Sequence, residues 1–191
     1  MHFSRATTIC ITLLLSGFNL TAQLVSVEEL QGIDSVYIKE NYKGAIYGGE
    51  SYSIRNKNAI FKDTESYFIE YAQLRGRYPV IEISSKEELD VYVKVFFAPF
   101  FKDVEGENLD RKYLTITLFS DIEGEMTDIS IFCNADIDLP AAAVELFHKT
   151  VHIGKLRLVF NKTAKAFVNS PWVSRRYNYS CSTLKEMANN H

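Results

Sequence analysis

Only four prolines, three cysteines and one tryptophan occur in 191 residues, and these scarcities narrow the reading first. Four prolines make no Pro-rich linker or polyproline stretch. No GxSxG elbow, P-loop or GxGxxG occurs, so three common catalytic and nucleotide-binding signatures are missing. Gly48-Gly49, within AIYGGESY, is a turn signal rather than a phosphate cradle. No run approaches the roughly 20 apolar residues that cross a bilayer. Neither charge sign dominates: 21 Lys and Arg face 24 Asp and Glu, scattered along the chain. That leaves no electrostatic footprint for nucleic acid or anionic lipid. No period repeats cleanly enough for a solenoid or propeller.

Residues 1–23 have the make-up of a secretory signal peptide. Arg5 supplies the positive start, Ile9 to Leu15 a short apolar core, and Thr21-Ala22-Gln23 small residues before a cut. Cleavage leaves about 168 residues, enough for a domain with a real core, and no transmembrane segment in the mature chain. Cys133 and Cys181 survive it. In an oxidising compartment they could form one disulfide, or remain as two buried thiols.

The mature chain divides by pattern at residue 84. From 24 to 83 it is β-rich, after a short lead in which VEEL suggests one helical turn. SVYIK, GAIYG, SYSIR, NAIFK and YFIEY are strand-like and punctuated by turn residues. From Ser84 onward helices enter. Ser85 with Glu88 three residues on is a capping box. Leu89, Tyr92, Val93, Phe96 and Phe100 follow at helical spacing, and Pro99 can kink or end the helix. YLTITLF and MTDISIF then read as a hairpin, with Gly124 where the turn wants a positive φ. Asp138 is a candidate cap and Pro140 a first helical residue for a second helix, with Val144, Phe147 and Val151 as its buried stripe. Gly154 closes it. Strands follow at Leu156 to Phe160 and Trp172 to Tyr179. The fold class is α+β: an antiparallel sheet with two helices, with 24–191 either two segments or one compact domain.

SKEELDVYVKVFF, YLTITLFSDIEGEMTDISIF, DIDLPAAAVELF and AFVNSPWVSRRYNY, in that order, resemble the C-terminal domain of the energy transducer TonB. The resemblance covers Ser84 to Tyr179 and implies a ββαβ unit in the C-terminal half. It departs from the family in lacking an uncleaved membrane helix, a Pro-rich linker and Trp-x-Pro-Gly after the second helix. It therefore implies a fold and not energy coupling. The chain also looks like small secreted proteins of Gram-negative anaerobes, a likeness that implies a periplasmic, secreted or cell-surface protein of a Gram-negative bacterium.

Candidate sites follow from residue type. His148 and His152 lie four apart on one helical face with Glu145 three before, a spacing a zinc ion could use, though without the internal Glu of HExxH. Helix-end histidines also simply suit the dipole. Cys133 with a histidine base would make a nucleophile, but a strand-end thiol is more often structural. Asp121, Glu123, Glu125 and Asp128 lack the EF-hand ladder and read as a solvated turn. Tyrosines crowd the N-terminal half, with Tyr47 and Tyr52 as candidates for a binding face. Trp172, Arg175, Arg176, Tyr177 and Tyr179 mark a last strand that, at a sheet edge, could accept a partner strand.

These observations describe an exported, non-catalytic binding or assembly module without a cofactor. It would act on a protein or peptide, or on a second copy as a homodimer, through an edge strand or a Tyr-rich face. The alternative is a small exported hydrolase using carboxylates or the His148/His152 pair.

Overall fold

The alternation of apolar and hydroxyl side chains in YLTITLF and MTDISIFC fixes the centre of the molecule. The computed structural model describes residues 23–45, 49–59, 80–106, 109–154, 156–161 and 172–190. In it, β5 (Tyr113–Ser120) and β6 (Met126–Asn134) form an antiparallel hairpin at the middle of a six-stranded sheet. Leu114 faces Cys133, Ile116 faces Ile131 and Leu118 faces Ile129, and all six are buried. A bulge between Phe119 and Ser120 accounts for the irregular alternation before Ile129.

The N-terminal strands extend the same sheet. β1 (Gln23–Gln31), β2 (Val36–Ala45) and β3 (Gly49–Asn56) form a meander, and β3 pairs with β6, placing Tyr52 opposite Cys133 and Ile54 opposite Ile131. The expected helical turn at VEEL is strand instead. Val27 to Leu30 pair with Glu40 to Tyr37 of β2, a cross-strand register that outweighs weak local helix preference. NAIFK runs into, and YFIEY lies within, residues outside the described set. On the other side of the hairpin, β8 (Val173–Ser180) pairs with β5 and ends the sheet in the order β1-β2-β3-β6-β5-β8. β4 (Ile81–Ile83) and β7 (Leu158–Phe160) make a separate two-stranded ribbon.

Helices cover one face of the large sheet. α1 (Lys86–Phe96) begins at Ser85, whose hydroxyl accepts the Glu88 N–H at 3.2 Å; the Glu88 carboxylate takes the Tyr92 hydroxyl instead of reaching back. Pro99 lies in a 3-10 turn, Ala98–Phe101, that follows the helix. α2 (Ala141–Ile153) buries Val144, Phe147 and Val151 and packs on α1 through Phe147, whose ring lies 4.8 Å from that of Phe97. Pro140 occupies the cap position, and Asp138 does not cap; it pairs with Lys39 at 3.5 Å. A third helix, α3 (Cys181–Asn189), was not expected from the sequence. Ser180 starts it by accepting the Thr183 N–H, and it buries Cys181 and Leu184. Among the described residues the fold is α+β: a six-stranded antiparallel sheet, a separate two-stranded ribbon and three helices.

Candidate functional site

Because side chains alternate along each strand, the residues opposite the core-facing set form a second sheet face. Among the described residues no helix packs on it. On β5 it carries Tyr113, Thr115 and Thr117, which alternate with the buried Leu114, Ile116 and Leu118. The register aligns these with Ser130, Phe132 and Asn134 of β6, Ser51 and Ser53 of β3, and Arg176 and Asn178 of β8. Together with Gly49 they line a cavity of about 460 Å³, within the ~300–1,000 Å³ typical of small-molecule sites.

The polar groups here are partly pre-oriented. Asn134 accepts the Tyr113 N–H on its side-chain oxygen at 3.0 Å, and Asn178 accepts the Thr115 hydroxyl at 2.9 Å. Each amide oxygen is thus engaged by the protein, which leaves the NH2 groups as donors. Ser53 donates to Glu40, whose carboxylate also receives Arg55 (2.9 Å) and the Tyr42 hydroxyl (3.0 Å). Burial pushes the Glu40 carboxyl up, but these partners outweigh it and hold it below the ordinary range. Ser51 is different. It is 2% exposed and its hydroxyl has no hydrogen-bond partner. A buried hydroxyl without a partner carries a desolvation penalty of about 1–3 kcal/mol.

The other predicted residues divide by position. Arg176 lines the cavity, and the Trp172 ring meets Phe119 edge-on at 5.4 Å. Arg175, Tyr177 and Tyr179 point to the helix side of β8. Arg175 lies over the Tyr177 ring, and the Tyr177 hydroxyl accepts the Ile83 N–H at 2.9 Å. The Tyr179 hydroxyl donates to Asp90 and accepts from Lys86, pinning β8 to α1. Tyr177 and Tyr179 therefore hold the fold together rather than form an exposed aromatic face. So does Tyr52, at 1% exposure: its hydroxyl donates to the Ile137 carbonyl at 2.5 Å and accepts the Leu139 N–H at 3.1 Å, fixing the lead into α2. Tyr47 lies outside the described residues.

Cys133 and Cys181 are buried free thiols. Burial pushes the Cys133 thiol up to about 12, which makes it a poor nucleophile. His148 and His152 line a second cavity of about 330 Å³ with Tyr37, Thr127 and Lys149. Burial, reinforced by the neighbouring His152, lowers the His148 pKa. Glu145 lies there too, but it accepts the Ile33 N–H at 2.6 Å and the Asp34 N–H at 3.0 Å and pairs with Lys149. Its carboxylate is committed to the β1–β2 turn. Among the described residues no group of three or more His, Cys, Asp or Glu side chains converges on a metal position. The acidic hairpin run is a turn, in which Asp121 accepts the N–H groups of Glu123 and Glu125.

Of the open-face lining, sequence reasoning singled out Arg176 alone. Sequence reasoning missed Ser51, Ser53, Ser130 and Asn178, because their convergence depends on strand order.

No family model matches the chain, and no curated protein matches it. Its structure is similar to the crystal structure of a DUF5043 family protein from Bacteroides uniformis ATCC 8492. The TM-score is 0.51 at 10% identity, over 81% of this chain and 90% of that one. At that identity the likeness shows the fold alone, and the TonB resemblance gains no support from it. No helix among the described residues is long and apolar enough to cross a membrane.

Proposed function

We propose that the protein is a non-catalytic binding module, exported to the periplasm or cell surface, that takes its ligand on the open face of the six-stranded sheet. The observation that carries this reading is the cavity lined by side chains from β3, β6, β5 and β8, with the unpartnered Ser51 hydroxyl buried at its wall. A ligand toward which the Ser51 side chain turns would relieve that penalty. The hydrolase alternative places its histidines in the second cavity, where Glu145 is already engaged.

Export is checked by N-terminal sequencing of the envelope protein. It is expected to begin at Gln23 or Leu24, and an intact Met1 would overturn it. Binding is checked by thermal shift, with neutral oligosaccharides, short peptides and acyl chains as probes. One class is expected to raise the Tm of the wild type and leave Ser130→Trp, which fills the cavity, unmoved. Thr117→Tyr serves as a second filling variant if Ser130→Trp does not fold. No shift with any class would sink the reading.

A second reading, strand addition to β8, draws support from its position as the last strand of the sheet with Ser174, Arg175 and Arg176 exposed. A peptide that stabilises wild type and filled variants alike would move the site to that edge.

A further inference from the structure

We infer that the open-face cavity binds a neutral oligosaccharide, an inference that rests on the binding reading above and names its ligand class. The chemistry of the lining carries it. A sugar presents hydroxyls that both donate and accept, together with C–H faces that lie against aromatic rings. The cavity offers the complement of both. The NH2 groups of Asn134 and Asn178 are donors held in place by their engaged oxygens, while Ser51, Thr117 and Ser130 supply hydroxyls able to act either way. Phe132 provides a ring on the same face.

Other ligand classes fit less well. Arg176 is the single charged side chain among the described lining residues, so a polyanion would meet little opposing charge from them. An acyl chain would leave the Asn134 and Asn178 NH2 donors without a partner. A peptide recognised through its backbone needs a free strand edge. Here β3, β6 and β5 are paired on both sides, so only side chains can read the ligand.

Ser51 sharpens the inference into a test. Its hydroxyl has no partner in the free protein, so Ser51→Ala removes a destabilising group and leaves stability unchanged or raised. If the side chain turns its hydroxyl to a sugar on binding, the same change weakens binding. Calorimetric titration of the mature chain would use hexaoses of glucose, mannose, xylose and galactose, with oligogalacturonate as the acidic counterpart. At least one neutral hexaose is expected to bind. Its affinity should fall about tenfold in Ser51→Ala and in Asn178→Ala, with no loss of Tm in Ser51→Ala, and should change little between low and high salt. Binding confined to oligogalacturonate, and lost in salt, would overturn neutrality. Hexaose binding that Ser51→Ala leaves untouched would overturn the placement. If no sugar binds while a peptide or acyl chain binds in a Ser130→Trp-sensitive way, the ligand class is wrong and the binding reading stands. If no probe of any class binds, both fall.

Discussion

Replacing Gly124 with alanine is expected to destabilise the protein by about 2–3 kcal/mol, the sum of two effects. Gly124 has φ +89°, a conformation that costs an L-residue with a Cβ roughly 1–2 kcal/mol. An added Cβ would also sit 2.0 Å from the Leu158 carbonyl oxygen, a backbone atom that cannot swing aside. To make room, the hairpin turn must withdraw from β7, breaking the bond from the Leu158 N–H to the Gly124 carbonyl at 2.9 Å, worth about 1 kcal/mol. The pairing of Glu125 with Arg157 alongside would loosen as well. At roughly 2–4 °C per kcal/mol for a chain of this size, Tm should fall by about 4–12 °C. Gly49→Ala is the control, since a methyl there meets nothing within 4 Å. If both variants melt together in a calorimeter, the close approach to β7 does not limit stability.

Glu145→Ala is expected to lower stability by a similar amount, about 2–4 kcal/mol. Two backbone donors of the β1–β2 turn would lose a buried charged acceptor, leaving α2 unable to hold that turn. Gly32→Ala approaches the same contact from the other side, because its Cβ would lie 2.0 Å from the Glu145 Oε2. A pH titration separates this from simple loss of packing. Burial pushes the Glu145 carboxyl up, but Lys149 and the two N–H donors more than offset it, so its folded pKa lies below the ordinary value. A depressed carboxylate contributes stability above its unfolded pKa of about 4.3 and loses it as pH falls through the folded value. The gap between wild type and Glu145→Gln should therefore be full above about pH 5 and shrink in more acidic solution. A gap that stays constant with pH would show that the charge of Glu145 contributes nothing.

Glu145 also shows how far the sequence could be read. Its spacing from His148 and His152 is real, and α2 does put all three on one side of a cavity. A turn 111 residues away in sequence takes up the carboxylate, and no helical period reports such a contact. Tyr52 behaves in the same way. It was legible as an aromatic in a strand, but its burial under the lead into α2 depends on β3 joining β6.

The sequence by itself determined the elements whose signals are local. Ser85 starts α1, Pro99 lies just past its end, Gly124 takes the positive φ, and the two-residue alternation of YLTITLF separates core from hydroxyl face. Each of these follows from bonds or sterics reaching only a few residues along the chain. Tertiary structure alone decided what the hydroxyl face became. Ser51, Ser130 and Asn178 share one cavity because β3, β6, β5 and β8 lie side by side. Strand order is set by how the apolar face packs against α1, α2 and α3, so the polar face on the other side inherits an arrangement its own residues do not encode.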